Sequence, residues 1–170
     1  MAEPDERSRA IIDGIEAIDP RYVLHLPSST LVHIINHVLD RPNTVAFPIP
    51  REEEGVGILS GLELAGAKAL AIIQDNGVGN LLTALTTFPL AYHIPQFYIV
   101  SQRGGLNEYN SMIHVICEKV EGILDAANVR YFTLDGRTPI EQWAPAVVKA
   151  YEYSRVTHRP TMLLVNLMGG

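Results

Sequence analysis

Residues 69–80, Ala-Leu-Ala-Ile-Ile-Gln-Asp-Asn-Gly-Val-Gly-Asn, decide the architecture. An unbroken apolar run of this kind is what a strand covered on both faces of a parallel sheet looks like. The run ends in polar residues, and Gly77-Val78-Gly79-Asn80 then opens a helix predicted over 78–91. Glycines at a strand-to-helix turn let the backbone approach a ligand, and helix starts favour anions. The pattern is a weak signal by itself, because every doubly wound protein needs such turns. The dinucleotide fingerprint Gly-x-Gly-x-x-Gly is not completed, since Ala84 and Leu85 follow, and no phosphate loop ending Gly-Lys-Ser/Thr occurs.

Working outward, further strands are predicted at 22–26, 44–47, 96–101, 129–134 and 161–166. Helices are predicted at about 5–18, 29–40, 52–66, 109–127 and 138–156. This alternation argues for an α/β fold, a doubly wound, six-stranded, mainly parallel sheet with helices on both faces. No linker, repeat or low-complexity stretch divides residues 1–170, so a single domain is expected. Ligands of such sheets bind beyond the carboxyl ends of the strands. The loops at that edge hold Ser28, Ser29, Arg51, Glu52, Asn80 and Arg103.

Composition narrows the possibilities. The chain has 170 residues, 47% hydrophobic and 19% charged, as a globular domain with a sizeable core requires. A net charge of −6 without a Lys/Arg cluster argues against a nucleic-acid partner. No apolar run approaches the ~20 residues of a membrane span. The single cysteine, Cys117, excludes an internal disulfide and falls on an apolar helical face. The polar, acidic start does not read as a secretory signal, so a cytoplasmic location is expected.

Arg51-Glu52-Glu53-Glu54-Gly55 opens the helix predicted at 52–66. Carboxylates there are favoured by the helix dipole. Consecutive residues lie about 100° apart around a helix, so at most one of the three faces inward. That one is either dipole decoration or a buried working carboxylate. Ser28, Ser29 and Thr30 sit where the second helix, predicted at 29–40, should begin, as an N-cap or as a small anion pocket. Arg103 could supply the cation for the same anion. His33 and His37 share a helix face but have no third metal ligand, whereas His25 and His93 lie near strand ends.

The order of these pieces resembles the pyrimidine-binding domain of thiamine-diphosphate enzymes, most closely sulfopyruvate decarboxylase alpha subunits and the related phosphonopyruvate decarboxylases. The resemblance is carried by Pro27-Ser28-Ser29, Pro50 to Ile58, Gly61 with Leu64-Ala65-Gly66, Gln74 to Asn80, Ile94-Pro95 and Arg103-Gly104-Gly105. It covers about residues 10–135. In that family one glutamate at this helix start bonds the aminopyrimidine ring of the cofactor and stabilises its imino tautomer, which then takes the proton from the thiazolium carbon. Registering on Gly61 places that role on Glu52, and a slip would give Glu53 or Glu54. The resemblance further implies cofactor contacts at Gly77, Val78, Gly79 and Asn80, and substrate contacts at Ser28, Ser29, Arg51 and Arg103.

The reaction so implied converts 3-sulfopyruvate to sulfoacetaldehyde and carbon dioxide in coenzyme M biosynthesis. The family holds the diphosphate through Mg2+ on a second domain marked by Gly-Asp-Gly, a sequence that does not occur here. A separate beta subunit is therefore expected to carry the metal, and pyrimidine domains are expected to pair with each other. Gln102 stands where relatives often have a large apolar residue, which leaves sulfonate and phosphonate substrates both open. The competing readings are a stand-alone module binding a nucleotide or other small anion, and a non-catalytic member of the same fold that acts only in assembly.

Overall fold

The structure is a computed structural model describing residues 5–106 and 108–168. It opens with helix α1 (Glu6–Ile18), capped by Asp5, whose carboxylate accepts from the Ser8 amide at 2.9 Å. Strand β1 (Tyr22–His25), helix α2 (Val32–Asp40) and strand β2 (Val45–Pro48) follow. Next come α3 (Glu52–Leu64) and β3 (Ala69–Gln74), then a 3-10 turn over Asp75–Gly77 that runs into α4 (Val78–Thr87). Strand β4 (Gln96–Ser101), helices α5 (Ser111–Cys117) and α6 (Val120–Ala126), and β5 (Arg130–Leu134) lead to α7 (Trp143–Thr157) and β6 (Pro160–Val165).

The strands form one six-stranded sheet in the order β2-β1-β3-β4-β6-β5, and every neighbouring pair is parallel. The expected "mainly parallel" sheet is thus wholly parallel. Side chains alternate between faces along each strand. Val23, Leu70, Phe97 and Leu163 pack beneath α1, α2 and α7. Leu24, Ala71, Tyr98 and Leu164 pack beneath α3, α4 and α6. The chain leaves β1 through α2 on the first face and leaves β3 through α4 on the second. A crevice opens between the carboxyl ends of β1 and β3, where these two loops diverge.

Helix α3 is fastened to the sheet by a buried polar network. Gln96 Nε2 donates to the Val56 carbonyl at 2.9 Å and to Ser60 Oγ at 2.8 Å, and Tyr98 Oη donates to Gln96 Oε1 at 2.5 Å. All three side chains are buried and paired, and such satisfied networks fix one packing arrangement. Burial pushes the Tyr98 phenol far above its ordinary value. At its other end α3 is tied to α7 by the Glu63–Arg155 ion pair.

Several boundaries differ from the sequence expectation. Helix α2 starts at Val32 rather than 29, because Ser28 Oγ bonds Thr30 Oγ1 (3.0 Å) instead of capping. Helix α3 stops at Leu64, where Gly66 adopts φ +76°. Helix α4 stops at Thr87, since the residue before Pro89 disfavours helical backbone. The helix expected over 109–127 is two, broken at Lys119, whose φ of −112° and ψ of 1° are not helical. Gly104, at φ +82°, packs against this junction; a Cβ there would lie 3.1 Å from Cys117 Cβ and 3.1 Å from the Glu118 amide.

Candidate active site

Glu52 is the first residue of α3, and α3 packs against α4 across the second face of the sheet. Its side chain is turned inward and is 8% exposed. Oε2 accepts a hydrogen bond from Asn80 Nδ2 at 3.0 Å. Oε1 accepts none among the described residues. The carboxyl group lies against Gly77: a Cβ at position 77 would sit 2.7 Å from Glu52 Cγ and closer still to Cδ and Oε1. Gly77 has ordinary helical backbone (φ −80°, ψ −10°), so this close approach, not its conformation, is what calls for glycine.

The other two glutamates point elsewhere. Glu53 pairs with Arg51 Nε at 2.8 Å, and Glu54 is exposed. Of the three carboxylates only Glu52 is buried, which is the geometry a working carboxylate needs. Val78 is fully buried in the apolar core, Gly79 is exposed, and Asn80 turns its amide to Glu52.

The remaining predicted residues divide into two groups. Arg51 is at the surface with Glu53. Ser28 and Ser29 line a groove of about 430 Å3 with His25 and Gln74, beside α2. Gln74 links this groove to Arg103. Its Nε2 donates to the Pro27 carbonyl at 3.5 Å, and its Oε1 accepts from an Arg103 terminal nitrogen at 3.3 Å. Arg103 is also gripped by Glu108 through two bonds of 2.7 and 2.9 Å, a fork-to-carboxylate pair. The Asn110 amide first, then Arg103, holds the Glu108 carboxyl below the usual carboxylate range.

Asp75 completes this edge. It is fully buried, and its Oδ2 accepts from the Arg103 amide at 2.6 Å. Desolvation raises its carboxyl above the ordinary aspartate value, against the pull of its Cys117 and Arg103 bonds. Burial in turn pushes the Cys117 thiol up, out of the reactive range. Gln74 and Asp75 fall within the 74–80 motif but received no site role from the sequence, and Glu108 was not singled out. Gln74 and Asp75 close a strand at the binding edge, a position that could have marked them, but nothing local points from Glu108 to Arg103.

A cavity of about 810 Å3 lies apart from all these residues, between β5 and α7, with Phe132, Thr138, Lys149 and Tyr153 in its walls. Among the described residues no cluster of His, Cys, Asp and Glu could hold a metal ion, and no helix is long and apolar enough to cross a membrane.

These features define a doubly wound, all-parallel α/β domain with a helix-start carboxylate at the carboxyl edge of its sheet. The same fold occurs in 2-oxoglutarate:ferredoxin oxidoreductase from Magnetococcus marinus, with a TM-score of 0.72 at 14% identity; the match covers 98% of this chain and 31% of that one. By sequence the chain is a relative of the sulfopyruvate decarboxylase alpha subunits. The alpha subunit of Methanococcus maripaludis is 29% identical over 160 residues, 94% of this chain and 92% of that protein. Two further alpha subunits match at 28% and 31% identity. The phosphonopyruvate decarboxylase of Streptomyces viridochromogenes is 26% identical over 75% of this chain, which spans 32% of that protein. No family model matches the chain.

Proposed function

We propose that this chain is the alpha subunit of a thiamine-diphosphate-dependent carboxy-lyase that converts 3-sulfopyruvate to sulfoacetaldehyde and carbon dioxide, in coenzyme M biosynthesis. The observation that carries the proposal is the Glu52 carboxyl, buried against Gly77 with one oxygen fixed by Asn80 and the other without a partner among the described residues. The alpha-subunit relatives support it along nearly the whole chain.

The residues fit the pyrimidine end of the cofactor. Thiamine diphosphate, when bound, supplies the electron sink that lets the carboxylate of a 2-oxo acid leave as carbon dioxide. Glu52 would hold a hydrogen bond to the aminopyrimidine ring and exchange its proton there, as general acid–base catalysis requires. Asn80 orients that carboxyl, and Gly77 leaves room for it. Gly79 and the backbone of Val78 would border the ring. Ser28, Ser29, Arg51 and Arg103 would orient the acidic substrate through charge-assisted bonds. Mg2+ and the diphosphate would belong to a beta subunit, a reading supported by the relatives' being alpha subunits. Gly57, Ile58, Gly61 and Leu64, exposed on the outer face of α3, support pairing between copies of this domain. The lone, buried Cys117 fits a reducing, cytoplasmic setting.

The test is carbon dioxide release from sulfopyruvate with Mg2+ and thiamine diphosphate, by this chain alone and mixed with a candidate beta subunit. Turnover is expected only in the mixture. Glu52→Gln should lower kcat by roughly 100- to 10,000-fold, the usual worth of a positioned acid–base group. Glu54→Gln should stay within about twofold, as surface changes do. Phosphonopyruvate is the second substrate to assay, favoured by the Streptomyces relative. A stable complex that turns over neither acid, or full activity in Glu52→Gln, would sink the proposal.

A further inference from the structure

Buried polar atoms without a hydrogen-bond partner are rare in folded proteins and call for an explanation. Among the described residues they are His25 Nδ1 and Nε2, Ser101 Oγ, Asp75 Oδ1, Arg41 Nη1 and Glu53 Oε2. Four of these six stand at the carboxyl ends of β1, β3 and β4, the edge where ligands of this fold bind. His25 is the most exceptional. It is 5% exposed, and neither ring nitrogen meets a polar atom.

The sheet geometry shows where His25 stands. Val23 lies on the α2 face, so His25, two residues on, shares that face. Register sets His25 beside Ile72 and Gln74 beside Ser101. Ile72 shares its face with Gln74, and Ile99 with Ser101, so the three polar side chains form a row on one face. His25 and Gln74 are walls of the groove that Ser28 and Ser29 also line, closed on the helix side by Val32 and Asn36 of α2.

The chemistry of this groove is distinctive. An imidazole that is neutral still carries one N–H to donate. Burial lowers the His25 pKa and so favours the neutral ring. Around it are the hydroxyls of Ser28 and Ser29, the side-chain amides of Asn36 and Gln74, and apolar Pro27, Val32 and Ile35; neither a carboxylate nor a cation is in the lining. Arg103, which reaches Gln74, is paired with Glu108 and stands outside the groove lining. The groove offers hydrogen-bond donors without a counter-charge, the His25 N–H among them once the ring, whose two nitrogens are closed off here, turns toward it. A sulfonate carries one negative charge and needs donors. A phosphonate near neutral pH approaches two charges, and a second buried charge without a counterion is strongly disfavoured.

We propose that His25 is a specificity-determining residue whose imidazole N–H holds the sulfonate end of the substrate, so that this groove accepts a singly charged sulfonate and rejects a phosphonate. This rests on the decarboxylase reading but has its own test.

The full chain, alone and with its beta subunit, would be titrated with 3-sulfopropionate and 3-phosphonopropionate, which cannot be decarboxylated by the proposed route, while the His25 ring nitrogens are followed by 15N NMR. The sulfonate should shift the His25 signals at concentrations at least tenfold below the phosphonate. In turnover assays, His25→Leu should raise KM for sulfopyruvate by roughly 10- to 100-fold, the worth of one hydrogen bond to a charged group, with kcat within about threefold. His25→Gln, which keeps an N–H donor, should recover most of that loss. An unshifted His25, equal response to both analogues, or a folded His25→Leu with unchanged KM would overturn the inference. A shifted His25 in a protein that decarboxylates nothing would leave this site standing and remove the proposed reaction. Turnover of sulfopyruvate with His25 indifferent would do the reverse.

Discussion

Replacing Gly77 with alanine tests the packing on which the catalytic assignment rests. The backbone at Gly77 is helical, so alanine introduces no strain of its own, and by reducing unfolded-state freedom it would stabilise the chain by about 0.4–1 kcal/mol. The new methyl, however, would occupy the space of the Glu52 side chain from Cγ outward. Glu52 must swing away and give up its bond to Asn80. A hydrogen bond to a charged group is worth about 1.5–3 kcal/mol. Asn80 is itself exposed and can bond water instead, which favours the lower end. The net result should be a destabilisation of about 1 kcal/mol, or roughly 2–4 °C in melting temperature for a chain of this size. In a Glu52→Ala background the obstructing atoms are gone, and the same Gly77→Ala change should become stabilising. The double-mutant cycle, run by thermal or urea unfolding on the chain alone, should therefore give a coupling of about 1.5–3 kcal/mol. If Gly77→Ala has the same sign and size in both backgrounds, Glu52 does not lie where the structure puts it. In the assembled enzyme the displaced carboxyl should lower kcat about 100-fold, the usual penalty of an ångström of misplacement.

The buried network beneath α3 predicts that Gln96→Leu destabilises by about 1–3 kcal/mol, because the Tyr98 hydroxyl is left buried and unpaired. Adding Tyr98→Phe should restore most of the loss, and urea midpoints would show it; a purely additive double variant would contradict the network. Asp75 predicts a pH effect of definite sign. Its folded-state pKa is raised by desolvation, so the native state binds more protons than the unfolded one, and stability should fall as pH rises from the unfolded value of about 3.9 through the folded value. Asp75→Asn should flatten that slope in melts from pH 3.5 to 7; an unchanged slope would show that Asp75 is not its source.

Much of the fold was legible because each strand is an apolar run with turn residues after it. Residues 69–74 and 96–101 were read at their observed boundaries, whereas the strand order was not read from the sequence and is given by the structure. What escaped was tertiary in origin. Ile113, Cys117, Val120 and Leu124 keep helical spacing across Lys119, so periodicity conceals the break that the Gly104 loop accompanies. Ser28 to Thr30 carry the composition of a helix cap, yet two of their hydroxyls bond one another. The three glutamates of α3 are alike in sequence, and only the packing of α4 shows that Glu52 is the buried one. Arg103 read as a free cation because its partner, Glu108, lies across a loop without regular periodicity.

That pairing changes what Arg103 can do for any incoming anion. Glu108 is a carboxylate tethered five residues away, a competitor at high effective concentration that dilution and dialysis cannot remove. Glu108 Oε1 also accepts the amide of Asn110, and Asn110 caps α5 by accepting from the Met112 amide. An anion that drew Arg103 away would leave the Glu108 carboxylate with the Asn110 amide as its partner among the described residues, so the occupancy of this arginine and the anchoring of the α5 start are thermodynamically linked.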